Sequence, residues 1–339
     1  MISFMKSYEL AFKTLDILAD GAFHSGEKIA IKIGCSRVTV WKAINELKTL
    51  GIVIFSVRNK GYRLEKSVSI LNESIIRSNL GELAQFIHFE LNHVIDSTNN
   101  YLMQFSSDRP HATVVASNIQ TKGKGRRGRT WQAQLGESLT LSILWKFTKG
   151  ASQLSGLSLV IGLAIQRTMK KLGIENSYLK WPNDLLMKIE DNFYKIAGVL
   201  IELQGDMESR TNAVIGIGIN YDLSDRLLKK IDQPAIGIKG FIEDQADLNK
   251  IIALLIQEIV GMLKDFDTSG FINFKDEWLL SNAFDGKTIE FLKTDGELIR
   301  GKIINLASNG ALVLLNDSGD EEHLLSGEVS QIKSFSVKF

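Results

Sequence analysis

Thr121-Lys122-Gly123-Lys124-Gly125-Arg126-Arg127-Gly128-Arg129-Thr130-Trp131 places five cationic side chains and three glycines between Lys122 and Arg129. The glycines fit two phosphate-loop patterns at once. Gly123, Gly125 and Gly128 give G-x-G-x-x-G, the dinucleotide fingerprint, and Gly123, Gly128, Arg129 and Thr130 give a P-loop with Arg where Lys belongs. Both patterns require a helix to open directly after the glycines. Instead Thr113–Ser117 reads as a strand before the loop, and Leu139–Trp145, alternating along its length, reads as a strand after it. No acidic residue stands about 20 positions past the glycines to hold a ribose. The stretch is therefore a loop between two strands, and the nucleotide-binding folds that use these patterns are excluded.

A strand–loop–strand of this composition can embrace an anion, because glycines let backbone N–H groups approach and the cations offset the charge of phosphate and carboxylate. A solvated basic surface and a nucleic-acid patch are the competing readings of the loop taken alone.

The chain has 339 residues, 44% apolar and 23% charged, which suits two or three soluble domains. Its single cysteine, Cys35, allows no intrachain disulfide, and the N-terminus lacks a secretory pattern, so a cytoplasmic location is expected. The longest apolar run, Leu157–Ile165, is about half of a membrane crossing and reads as part of a core helix over Ser152–Leu172. No membrane contact is expected. Net charge is +1, yet residues 1–66 carry 11 Lys and Arg against 6 Asp and Glu. A basic N-terminal module rides on a mildly acidic body.

Within that module, SGEKIAIKIGCSRVTVWKAINELKTLGI from Ser25 has Ile29 and Ile33 on one helical face, a break at Gly34-Cys35-Ser36, and Val40, Ile44 and Leu47 on the next. Ser36 suits an N-cap and Gly51 a stop. Arg37, Thr39, Lys42, Asn45 and Lys48 are left off the apolar face, where they can reach phosphates and base edges. Ile54–Val57 and Tyr62–Leu64 form two short strands around a turn whose tip holds Arg58 and Lys60. This is a winged helix-turn-helix, and its basic face favours DNA over a protein-contact module.

Beyond it, Phe86–Ile95 reads as a strand ending in Asp96-Ser97-Thr98-Asn99-Asn100, a strand end combined with a helix cap. Tyr178-Leu179-Lys180-Trp181-Pro182-Asn183-Asp184 is a strand stopped by proline, which gathers polar side chains into a pocket wall. Lys195 opens a further strand through Glu202, and Val214–Asn220 carries Gly216 and Gly218, which permit close approach of a ligand. Near the C-terminus, Thr288–Phe291, Leu298–Leu306, Ala311–Leu315 and Glu322–Leu325 are short strands with turns at Asp295-Gly296, Asn309-Gly310 and Ser318-Gly319. They suit a small barrel. The five histidines show no ligand spacing for a structural metal, so no protein metal site is expected.

DSTN, Q-x-x-G-x-G-R-R-G-R-x-W with Lys124 at one Arg position, KWPNDL, K-x-A-G-x-L-x-E and GxGIN, in this order behind a winged helix, resemble the bifunctional biotin–protein ligase and biotin-operon repressor family of the BirA type. The resemblance spans nearly the whole chain. It implies an α+β multidomain protein: a winged helix-turn-helix over 1–66, an SH2-like α/β ligase domain with a mixed sheet over 67–283, and an SH3-like small β-barrel over 284–339. The implied reaction joins biotin to ATP, with Mg²⁺, giving biotinyl-5′-AMP and pyrophosphate, and then transfers biotin to a lysine of the biotin carboxyl carrier domain of acetyl-CoA carboxylase. The implied regulation is repression of biotin synthesis at operator DNA, with biotinyl-AMP as co-repressor and a homodimer formed on adenylate binding. Lipoate–protein ligation and a biotin-sensing regulator without catalysis are the alternatives.

By the same resemblance Ser97, Thr98, Asn99 and Gln120 recognise the ureido end of biotin. Gly123, Lys124, Gly125 and Arg126 close over carboxylate and phosphate, and Lys195 stabilises charge at their junction, with Asp184 as a further ligand-binding and catalytic candidate. Arg129, Trp131, Lys180, Asn183, Gly198, Gly218 and Asn220 complete the adenylate pocket. Three departures stand out. Lys124 replaces the family's usual Arg, turning a planar fork into a point charge. About four extra residues lie around Lys188–Asn192. The stretch Tyr221–Lys239 lacks a tryptophan that the family's best-known member places over the adenylate.

Overall fold

The computed structural model describes residues 8–242, 247–293 and 296–331. The outer ends of the expected terminal domains, and Asp295 of the expected Asp295-Gly296 turn, lie outside them.

The N-terminal part opens with a helix beyond the expected elements, α1 (Glu9–Leu18), whose Ala11, Phe12, Leu15 and Leu18 are buried. Helices α2 (Gly26–Ile33) and α3 (Arg37–Thr49) follow. Ser25 and Ser36 cap them by accepting from the Lys28 and Thr39 amides, and Gly34, at φ +75°, closes α2 in the left-handed conformation that glycine tolerates. Strands β1 (Ile54–Val57) and β2 (Gly61–Leu64) pair antiparallel as the wing. The apolar faces of the three helices form one cluster, which also takes in Ile70, Val94, Ile119 and Leu135 from beyond the wing.

The centre is a seven-stranded sheet: β3 (His88–Ile95), β4 (Thr113–Gln120), β5 (Ser138–Phe147), β6 (Ser177–Lys180), β7 (Asp184–Ile189), β8 (Asn192–Gly205) and β9 (Thr211–Asn220), in spatial order β3-β4-β5-β9-β8-β7-β6. Only β3 and β4 run parallel. The β3-to-β4 crossover carries the short helix α4 (Thr98–Gln104).

The two-residue pleat assigns the faces. On β5 and β9, Leu139, Leu141, Ile143, Trp145, Phe147, Ala213, Ile215, Ile217 and Ile219 enter the main core. There they pack with α5 (Leu157–Lys171) and α6 (Leu248–Ser269). Of the alternate positions, Thr140, Ser142, Gly216, Gly218 and Asn220 are small or polar and floor the opposite face, while Leu144 and Val214 cluster with Leu102 of α4. Helix α5 begins at Leu157 rather than Ser152, because Gly156 takes a left-handed φ of +82° and a short 3-10 turn occupies 151–154.

Strands β10 (Thr288–Leu292), β11 (Leu298–Leu306), β12 (Leu312–Asn316), β13 (Glu321–Leu324) and β14 (Glu328–Gln331) make a five-stranded antiparallel sheet in the order β13-β12-β11-β10-β14. The last strand was not legible in the sequence. This sheet docks on the KWPND segment: the Trp181 indole donates to the Gly310 carbonyl at 3.1 Å and its ring lies 5.7 Å from Phe291.

Candidate functional site

The glycine–cation loop leaves β4 at Gln120 and returns through Trp131, with a single 3-10 turn at Arg126–Gly128 and no α-helix. It folds back on itself: Trp131 N–H donates to Gly123 O at 3.0 Å, and Gly125 N–H to Arg129 O at 2.7 Å. A Cβ on Gly123 would stand 2.5 Å from the Trp131 carbonyl, and one on Gly218 2.3 Å from the Trp131 ring, so both glycines are required by close approach. The indole thus lies flat against the β9 backbone.

Two adjoining cavities result. The smaller, about 60 Å³, is bounded by Ser97, Thr98, Asn99, Gln120, Lys124 and the β8 and β9 floor. The larger, about 330 Å³, is bounded by Arg127, Arg129, Lys180, Asp184, Asn220 and the 230–235 segment. Gly125, Arg126, Trp131, Asn183 and Lys195 line both. A molecule spanning the cavities would meet these shared groups.

A buried polar chain organises the smaller cavity. Ser97 caps α4, and Thr98 donates from its amide to Gln120 Oε1 at 2.8 Å. Ser142 Oγ lies 2.6 Å from Thr98 Oγ1 and donates to Asn99 Oδ1 at 2.5 Å. Asn99 Nδ2 donates to Glu202 Oε2 at 2.8 Å, and Glu202 faces Lys124 Nζ at 3.6 Å. Ser142 is not among the candidates the sequence offers, and Glu202 enters there only as the last residue of the K-x-A-G-x-L-x-E motif, with no site role. Their pleat register, Ser142 opposite Gly216 and Glu202 two pairs beyond Leu200, turns both toward the site.

At the shared wall Lys195 Nζ is 2.7 Å from Asp184 Oδ1, with both side chains mostly buried. The buried Trp131 Nε1 has donor capacity that nothing among the described residues uses, which fits a polar ligand. Arg126 donates to Asn183 Oδ1 at 2.9 Å. Burial, reinforced by Arg127, draws its guanidinium below the usual range. Burial likewise lowers Lys180, against the pull of Asp184. Asn220 donates to the Lys195 carbonyl at 2.9 Å and fixes the strand that carries the lysine.

Gly198 and Gly218, which the resemblance assigns to the adenylate pocket, line the smaller cavity, where they lie side by side on the floor beneath Trp131. Gly123 borders the outer groove and neither cavity. Arg129 reaches Glu328 of the C-terminal sheet at 2.7 Å and Arg127 reaches it at 3.4 Å, a contact no local sequence signal announces. The hydrogen bond to Glu328 raises the Arg129 pKa. The hairpin turn around Glu190-Asp191, where the extra residues were placed, lines neither cavity. Where a tryptophan was noted as missing, Lys230, Ile231, Asp232 and Gln233 wall the larger cavity.

On the N-terminal helices, Arg37, Lys42 and Lys48 are exposed and Asn45 is half-buried. Thr39 is committed to the helix start, with its hydroxyl 2.8 Å from Ser36 Oγ. Arg58 and Lys60 are exposed at the wing tip.

The pattern of the biotin/lipoate A/B protein ligase family matches residues 91–220, and that of the HTH domain matches 11–63. The chain is 32% identical to the bifunctional ligase/repressor BirA of Escherichia coli K12, over 96% of this chain and 98% of that one. The chain belongs to the BirA family of bifunctional ligase/repressors. Identity to BirA of Bacillus subtilis 168 is 31%, over 89% of this chain and 92% of that one. The fold matches a biotin protein ligase from Aquifex aeolicus, solved with biotin and ATP, at a TM-score of 0.59 and 26% identity, over 72% of this chain and 97% of that one. Both halves of the BirA reading, ligase site and helix-turn-helix, thus occur in this one chain.

Proposed function

We propose that the smaller cavity takes biotin, the larger takes ATP, and the ring formed by Lys195, Arg126 and Asn183 is where they react. The protein is an ATP-dependent biotin–protein ligase with a DNA-binding repressor domain. The observation that carries the site assignment is the sharing of Lys195 and Arg126 by two cavities of different lining, one hydrogen-bonding and one rich in cations.

A biotin carboxylate oxygen attacks the α-phosphorus of ATP, a P–O bond forms, and pyrophosphate leaves. Two anions must be forced together, and the fixed charges of Lys195 and Arg126 offset their repulsion without reorganising. The carrier lysine, as the free amine, then attacks the mixed anhydride; the amide forms, AMP leaves with the former carboxyl oxygen, and the amine proton is released. Gln120, Thr98, Ser142 and Asn99 supply the donors and acceptors that a ureido group requires. Mg²⁺ is a hard cation that binds the phosphate oxygens of ATP and would arrive with them.

The proposal extends to residues 1–66 as the DNA-binding unit, 67–283 as the ligase unit and 284–339 as the closing unit, to a cytoplasmic location, to the carboxylase carrier domain as acceptor, and to homodimerisation on adenylate binding. Ordering a glycine-rich, self-repelling loop is costly, and a ligand that binds the ordered form shifts the population toward it. No described helix is long and apolar enough to cross a membrane. Incubation with biotin, MgATP and a carrier domain should add one biotinyl group to the carrier by mass. Lipoate in place of biotin should give none, and no mass gain with biotin would overturn the reading.

A further inference from the structure

On helix α3, Val40, Ala43, Ile44 and Leu47 take the inward face. Val38 and Trp41 do not join them: they are 65% and 56% exposed. With Lys42 and Asn45 they form the i, i+3, i+4, i+7 stripe on the outer surface. The exposed residues of the helix are Arg37, Val38, Trp41, Lys42, Lys48 and Thr49, with no carboxylate among them. An indole and a valine left in water, ringed by cations, on the helix that follows a helix-turn-helix break, call for a polyanion that also offers apolar groups. The major-groove edge of duplex DNA offers one such group, the thymine C5-methyl.

We propose that Val38 and Trp41 are specificity-determining residues that read thymine methyls on neighbouring base pairs of the operator, while Arg37, Lys42 and Lys48 hold the phosphates. The proposal rests on the DNA-binding reading and deepens it. The indole rejects cytosine at its position because cytosine lacks the methyl and leaves its amino donor unpaired against the ring.

The test uses the full chain with biotin and MgATP. Sites are selected from a random duplex pool, and each thymine of the selected site is then replaced by deoxyuridine, which removes the methyl alone. For the wild type one or two replacements should weaken binding about five-fold or more. Trp41→Ala should bind the thymine and uracil forms of one such position equally, and Val38→Ala the forms of the neighbouring one. Trp41→Phe, which keeps an apolar ring, should retain the preference. The salt dependence should stay unchanged, since no cation is removed, and ligase turnover in all three variants should match the wild type as a check on folding. An equal uracil penalty in wild type and Trp41→Ala, or an unchanged selected sequence, overturns the proposal while leaving DNA binding in place. A wild-type chain that selects no sequence overturns both.

Discussion

Lys195, which lines both cavities from β8, holds its Nζ 2.7 Å from Oδ1 of Asp184, which lines the larger one from β7. The two strands pair antiparallel with a register shift between Leu185 and Leu186, next to the Leu186–Lys195 pair, and Pro234 O accepts from the Lys195 amide. The lysine is therefore held in place before substrate arrives, as electrostatic preorganisation requires. Lys195→Ala should cut pyrophosphate release by about 10²–10³-fold. Near-normal release by the alanine variant would remove Lys195 from the chemistry. Asp184→Asn should weaken adenylation less, because the ammonium survives.

Gly216 tests the smaller cavity. A Cβ there would stand 2.2 Å from Asn99 Oδ1, the atom that accepts from Ser142. Gly216→Ala should push Asn99 out of the chain and weaken biotin binding ten-fold or more, at about 1.4 kcal/mol per ten-fold, with ATP affinity close to wild type. Calorimetric titration of each substrate separates the two; equal losses for both would place the effect in the fold instead.

How much of this was legible follows from where each residue lies. The loop and the KWPND segment announce themselves because glycines, cations and a proline contradict regular structure locally. Asp184, Arg126 and Asn183 stand inside such segments, whereas Lys195 lies in β8 and is legible only through the resemblance. Ser142 lies in an ordinary strand, where only the register distinguishes the site face from the core, and the motif that contains Glu202 does not say which way its carboxylate turns. Glu328 comes from a strand almost 200 residues beyond the arginines it meets, and Trp41 resembles a core residue until the buried face of α3 is known. Helix α6 went unread although Ile251, Ile252, Leu255, Ile256, Ile259 and Leu263 repeat at helical spacing.

Glu328 ties the C-terminal sheet to the loop through Arg127 and Arg129. These are partly exposed pairs, so the energy at stake is about 1 kcal/mol or less. Glu328→Gln should barely move the thermal midpoint. It should raise the KM for ATP several-fold, because the two arginines lose the group that orients them at the larger cavity, and leave the KM for biotin near wild type. A drop in melting temperature without a KM change would make the contact purely structural.

His93 gives the pH dependence. It stacks on Phe12 with ring centroids 4.1 Å apart, and Asn118 Nδ2 lies 3.0 Å from its Nδ1. Burial at this junction lowers its pKa from 6.5 to about 4, against the raising effect of Glu9. The fold holds the neutral ring, so as pH falls through 6.5 the unfolded chain takes up the proton first and stability declines, levelling off only near pH 4. Above 6.5 the group contributes no slope. The loss is on the order of 3 kcal/mol at most. Denaturant titrations between pH 7 and 4.5 should show this slope in the wild type and a shallower one in His93→Gln.

Removal of residues 1–66 should do two separable things. Specific DNA binding should vanish, since the helix-turn-helix and the basic wing go with it; an unchanged footprint would refute that assignment. The remainder should also be less stable than the same segment within the whole chain. Ile70, Val94, Ile119 and Leu135 share one apolar cluster with α1 and α3, and the deletion uncovers them. At about 25 cal/mol per Å² of apolar surface returned to water, several kcal/mol are at risk. The shared cluster makes that loss measurable. His93 reports the same event independently: without Phe12 above it the ring regains water, and its pKa should return toward 6.5. A truncated chain whose His93 still titrates near 4 would show that the ligase sheet, rather than the N-terminal helix, keeps the ring dry.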